Sequence, residues 1–364
     1  QGGRAVAIIP VFIPHAGCPH QCVFCNQKTI SGQQTASSRD VEQQLERYLQ
    51  WIKPGPSNEA AFYGGSFTGL PADLQTELFR PVDKLLAEGV IGSVRLSTRP
   101  DYIDAARLEL LQAHGVKTVE LGVQSLDDNV LAAAERGHQA TDVYKAVSLL
   151  KQYGFEIGLQ LMVGMPGQSF DSVKATVEQV LRLGPSFARI YPLLVIKGTP
   201  LEHIYESGEF EPLTLEAAVE QSAYVYSKLT LAGIKVIRVG LQADEELCSE
   251  GNIVAGPFHP SFGELVQSFL LYAELTPQLQ RLLCQGAGNI VITCPSKLES
   301  KLRGLKNNAV TRESIASQIT VELEAKRALG VIDSWQQLAG PVPVNIKARP
   351  DAERIMISWR LDDE

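Results

Sequence analysis

The chain has 364 residues, 45% of them apolar and 20% charged, with a formal charge of −8. That length can bury one large core, or a large core and a small one, and the composition excludes a disordered or fibrous chain. The acidic balance argues against DNA as a partner and against a whole-surface attraction to RNA, leaving only a local basic groove for the latter.

The run AVAIIPVFIP reads as a buried first strand. It leads directly into GCPHQCVFCNQ, which holds three of the six cysteines, Cys18, Cys22 and Cys25. Residues 40–51 carry helical spacing, and EAAFYGG reads as a second strand ending on two glycines. Helical stretches at 71–88, 102–113, 128–133 with 143–153, and 171–183 then alternate with the strand candidates SVRLST, TVELGV, EIGLQLMVG and FARIYPLLV. Six strand-then-helix units in sequence predict a parallel α/β architecture. Polar and glycine residues recur just beyond the strand ends, which favours an open or partial (β/α)6 barrel with its chemistry at that end.

A helix at 213–232 and the strand IKVIRVG complete this part, so 1–242 is expected to form the barrel. The remainder, 243–364, is expected to form a C-terminal extension or small α/β layer, serving as an active-site cover or substrate domain. It has helical stretches at 262–282, 298–302 and 311–329 and strands at NIVITCP, VNIKA and RIMISW. No apolar run approaches the roughly 20 residues of a membrane span, and no start resembles a signal peptide, so a cytoplasmic location without membrane partners is expected.

Crowded cysteines in a reducing compartment serve as metal ligands or catalysts more often than as disulfides. Three thiolates spaced C-x3-C-x2-C can converge on one side of a [4Fe–4S] cube and leave its fourth iron open. A zinc ion closed by His15 or His20 is the alternative. Cys248, Cys284 and Cys294 lack such spacing and read as small buried hydrophobes, with an auxiliary cluster as the other reading.

The cysteine spacing, with Phe24 before the last cysteine, resembles the signature of the radical S-adenosylmethionine (SAM) superfamily. The resemblance implies a partial barrel whose first strand delivers a [4Fe–4S] cluster held by Cys18, Cys22 and Cys25. It also implies SAM at the open iron, reductive cleavage to methionine and a 5′-deoxyadenosyl radical, and a flavodoxin- or ferredoxin-type electron donor. Gly64, Gly65 and Ser66 in YGGSFTGLP are similar to the family's glycine motif for the SAM amino group, with serine in place of the usual acidic residue. Gln124 and Arg136 fall where relatives of coproporphyrinogen dehydrogenase and of the Elongator catalytic subunit contact the SAM ribose and carboxylate, and the resemblance implies Glu120 beside them. Gln160 stands where porphyrin-related members carry an aspartate.

STRPDYI, ELGVQS, RGH, RIYPLLVIKGTPLEHIYESGEF and KVIRVGLQ extend the Elongator likeness across residues 90–242. Arg99, Asp101, Tyr191 and Lys197 are the candidates for the substrate side, with Thr199 beside them and His259 as a proton- or radical-control group. Arg99 with Asp101 reads equally as a structural ion pair, and Lys197 and Thr199 as loop-ordering groups. The basic N-terminal extension and the acetyltransferase region of that subunit have no counterpart in the pattern of this sequence. A small or low-charge substrate is therefore expected ahead of tRNA. Lys297, Lys301, Arg303 and Lys306 form the tail's one basic cluster, which reads as a phosphate contact or a solvated helix face.

Overall fold

A computed structural model describes residues 7–13, 22–25, 37–241, 251–284, 287–298, 301–302, 344–349 and 355–361. His15, Cys18, His20, Cys248, Arg303, Lys306 and the helix expected at 311–329 lie outside the described residues.

The first strand, β1 (Ile8–Phe12), is followed by helix α1 (Ser38–Leu49) and strand β2 (Glu59–Tyr63). Helix α2 (Ala72–Ala87), β3 (Ser93–Thr98), α3 (Ala105–Ala113) and β4 (Val116–Gln124) come next. Two helices, α4 (Asp128–Ala133) and α5 (Ala140–Gln152), precede β5 (Glu156–Val163). Helix α6 (Phe170–Leu183) then returns the chain to β6 (Phe187–Pro192). These six strands lie in sequence order and pair in parallel, with β8 (Lys235–Val239) beyond β6 in the same sheet. The result is the curled, partly closed barrel expected of repeated strand–helix units.

The outer face of the sheet is apolar. Phe62 on β2, Phe67 in the 3₁₀ turn Phe67–Gly69 and Phe79 on α2 are all fully buried, with ring centroids 4.8 to 5.5 Å apart. Helix starts follow local chemistry: Ser37 and Asp40 form a capping box on α1, and the Asp104 carboxylate accepts from the Arg107 N–H at 2.8 Å. That cap starts α3 at Ala105 rather than 102, and Pro100 opens a separate 3₁₀ turn, Pro100–Tyr102, ahead of it.

One expected strand is divided. FARIYPLLV ends its run in the main sheet at Pro192, which has no N–H to extend a ladder. Val195–Ile196, as β7, instead pairs antiparallel with β9 (Ile253–Ala255). Helix α7 (Pro200–Glu206) follows, capped by Thr199, whose hydroxyl accepts from the Glu202 N–H.

The chain divides into two compact units. The first comprises Gln1–Pro212, Lys228–Arg238 and Asp244–Gly256, and holds the curled sheet. The second comprises Leu213–Ser227, Val239–Ala243 and Pro257–Glu364. It contains most of α8 (Leu215–Leu231), α9 (Phe262–Cys284) and a sheet in which β10 (Ala287–Pro295) runs between β11 (Val344–Arg349) and β12 (Met356–Leu361). Its described core joins Ala218, Val219 and Ala223 to Phe262, Leu265 and Val266. Ser296–Leu298 forms a 3₁₀ turn where the sequence suggested the start of a helix. No helix among the described residues is long and apolar enough to cross a membrane.

Candidate active site

The strand ends of the first unit surround a cavity of about 300 Å³. It is walled by Cys22, Phe24 and Cys25 on one side and by Gly64, Gly65 and Ser66 on another. Arg99, Gln124, Arg136 and Gln160 close the remainder.

 

All ten of these wall residues were singled out from the sequence. Tyr63, Ser97, Thr98 and Gly122 also line the wall and were not.

The cysteine turn is fixed by main-chain bonds. The Cys25 N–H donates to the Cys22 carbonyl at 2.9 Å, and the Val23 N–H donates to the Ala134 carbonyl at 3.2 Å, just past α4. The Val23 carbonyl in turn accepts from Leu201 N–H at 2.8 Å, in the first turn of α7. Cys22 is buried and Cys25 partly so, while Cys18 lies outside the described residues.

Arg136 reaches this turn from the loop after α4. Its Nη1 donates to Cys22 Sγ at 3.1 Å, its Nη2 donates to the Gly122 carbonyl at 2.6 Å, and its guanidinium lies 6.0 Å from the centre of the Phe24 ring. Its Nε is buried without a hydrogen-bond partner, as is Gln124 Oε1. Gln124 has φ +66°, which turns the end of β4 at a register shift against β5. A buried donor or acceptor left in this state costs about 1–3 kcal/mol unless a ligand satisfies it. Gly64, at φ +107°, leaves no room for a side chain: a Cβ there would stand 2.3 Å from the Ile13 carbonyl oxygen. The Ser66 hydroxyl bonds Thr98 Oγ1 at 3.0 Å and accepts from the Arg99 N–H at 3.2 Å.

These features fit the implied groups. Thiols on one wall suit iron, an arginine donor suits a carboxylate, and a bare glycine backbone and an amide oxygen suit an amino group or hydroxyls.

Other expected site residues stand elsewhere. Glu120 is fully buried and does not line the cavity. It accepts from Arg189 Nε at 2.6 Å and Nη2 at 3.1 Å, and from Arg95 Nη1 at 3.3 Å. Arg95 also pairs with Glu59 at 2.8 Å. Burial opposes the Arg189 charge, but the hydrogen bond and charge of Glu120 outweigh it and raise the guanidinium's pKa. Burial also raises the phenols of Tyr63 and Tyr191, so both remain protonated in the neutral range. Asp101 pairs with Arg99, Lys197 is exposed, and Thr199 caps α7.

His259 belongs to the second unit, where its Nδ1 accepts from the Ser261 N–H at 3.0 Å. Burial lowers its pKa from 6.5. A depressed folded value favours the neutral ring, so this contribution to stability is present above 6.5 and is lost as pH falls through the folded value. An NMR titration should place the His259 midpoint below 6.5; a midpoint at or above it would contradict the burial.

Sequence reasoning missed Arg95 and Arg189, the partners of Glu120. It also missed the cavity residues Tyr63, Ser97 and Gly122, each two positions before an expected site residue: Gly65, Arg99 and Gln124. The period of two that puts alternate strand residues on one face was the available signal.

Residues 12–180 match the Radical SAM superfamily and residues 185–271 match the Radical_SAM C-terminal domain, together more than half of the chain. The sequence is 28% identical over 263 residues to the tRNA uridine(34) acetyltransferase of Methanocaldococcus infernus, covering 61% of this chain and 49% of that protein. It is 27% identical over 256 residues to the heme chaperone HemW of Bacillus subtilis, covering 68% of this chain and 66% of that one. The solved archaeal Methanocaldococcus infernus Elp3 with an N-terminal deletion is similar at a TM-score of 0.60 and 25% identity, over 74% of this chain and 63% of that one. The chain spans about half the length of the acetyltransferase relatives it matches. The first of these regions contains every residue that lines the cavity, and the chain belongs to the radical SAM superfamily.

Proposed function

We propose that this radical SAM enzyme holds a [4Fe–4S] cluster on Cys18, Cys22 and Cys25 and binds SAM in the adjoining cavity. Bound there, the two groups would supply methionine and a 5′-deoxyadenosyl radical through one-electron reductive cleavage. The observation that carries this reading is the convergence of the Cys22–Cys25 turn, the Gly64 turn, Gln124 and Arg136 on one cavity. Arg136 is a donor-only group whose Nε is uncommitted, and it would bind the SAM carboxylate. The Gly64–Ser66 backbone would approach the amino group, and Gln124 Oε1 would accept from a ribose hydroxyl. Gln160 reaches the same wall and would orient the ribose with it. A flavodoxin- or ferredoxin-type protein of the cytoplasm would supply the electron, and a small or low-charge substrate would receive the radical.

The test uses anaerobically reconstituted protein reduced with dithionite. With SAM it should form 5′-deoxyadenosine and carry about four irons per chain, and Cys22→Ala should lose both. Protein that holds zinc in place of iron, or a full cluster that neither binds nor cleaves SAM, would overturn the reading.

A second substrate reading, tRNA uridine, is favoured by the likeness to the tRNA uridine(34) acetyltransferases. It requires tRNA binding that weakens steeply with salt, because phosphate contacts release counterions. Binding to tRNA that is undetectable at low salt would remove it.

A further inference from the structure

We infer that Arg99 is a positioning residue for Arg136, holding the loop that aims the Arg136 guanidinium into the cavity. The inference rests on the SAM site proposed above and assigns Arg99 a task other than meeting the substrate.

Arg136 sits in a turn with unusual backbone on both sides. Glu135 has φ +52° and Gly137 has φ +71°, and a non-glycine residue in that region is held there only by its surroundings. The Arg136 N–H donates to the Leu131 carbonyl at 3.0 Å, which ties one side of the residue to α4. On the other side, Arg99 Nη2 donates to the Arg136 carbonyl at 2.6 Å. Both main-chain polar groups of Arg136 are therefore fixed before its side chain extends to Cys22 and Gly122.

Arg99 is itself fixed from two directions. Its Nε and Nη2 donate to Asp101 Oδ1 and Oδ2 at 2.9 and 3.0 Å, a fork that sets the plane of the guanidinium. Its main-chain N–H donates to the Ser66 hydroxyl, so the same residue touches the glycine turn and the arginine turn. Arg99 is 4% exposed, and the pair is shielded from the screening that weakens surface ion pairs. Asp101 thus orients Arg99, Arg99 holds the carbonyl of Arg136, and Arg136 faces the cavity. Lysine cannot reproduce this arrangement, because one ammonium lacks the planar fork that serves Asp101 and the carbonyl together.

The test measures SAM binding by equilibrium dialysis to the reconstituted full chain, without reductant, and SAM cleavage in parallel. Arg99→Lys should raise the SAM Kd and KM about tenfold or more, with kcat changed by less than about threefold and iron content unchanged. Asp101→Asn keeps one acceptor for the fork and should raise Kd by a smaller factor, about threefold, which provides a second reading if Arg99→Lys folds poorly. Parent and variants with equal SAM affinity would overturn the positioning role, as would a variant that lowers kcat alone. A parent that binds no SAM would overturn the proposed function itself, and with it this inference.

Discussion

Glu120→Ala should destabilise the first unit by about 3–5 kcal/mol, the range for breaking a buried ion pair by removing one partner. The cost falls unevenly on the two arginines. Arg95 retains Glu59 at 2.8 Å, whereas Arg189 directs both Nε and Nη2 at Glu120 and would be left with the phenols of Tyr63, 3.3 Å from Nη2, and Tyr191, neither of them charged. A buried guanidinium without a counter-charge is what makes the single substitution severe. Replacing both members, as Glu120→Leu with Arg189→Met, should recover much of the loss, because neither charge then remains in the interior. Urea unfolding of the parent and the two variants checks this, and a Glu120→Ala protein as stable as the parent would show that the pair is not supporting the sheet.

Gly64→Ala should lower SAM cleavage by about a hundredfold or more, through misplacement of the site rather than loss of a contact. The substituted Cβ would meet the Ile13 carbonyl oxygen at 2.3 Å, in a backbone conformation that L residues rarely adopt. Ile13 is the last described residue before the cysteine segment, and its N–H donates to the Tyr63 carbonyl at 2.8 Å. Relieving the clash must therefore move the end of β1 away from the end of β2, and with it one support of the cysteines. Iron content, SAM Kd and 5′-deoxyadenosine formation should be measured together. A variant that cleaves SAM at the parent rate would show that the close approach of these two strand ends is dispensable.

The sequence by itself determined the alternation of parallel strands and helices, because apolar runs and helical spacing are local patterns that survive without tertiary context. It also singled out Cys22, Cys25, the glycine turn and Arg136, which line one cavity in the structure, since their residue types suit ligands. Other outcomes were decided only by the tertiary structure. Glu120 lies within β4 and Arg136 in the loop after α4, and residue type alone does not say which of the two charges faces a ligand. Glu120 meets Arg95 and Arg189, which arrive from β3 and β6, while Arg136 reaches Cys22 from the loop after α4. Arg99 with Asp101 likewise read equally as a substrate contact or an ion pair; the fold supplied the carbonyl of Arg136, 37 residues away, as a further partner. Pairings over such separations depend on strand order and register, which residue types alone do not specify.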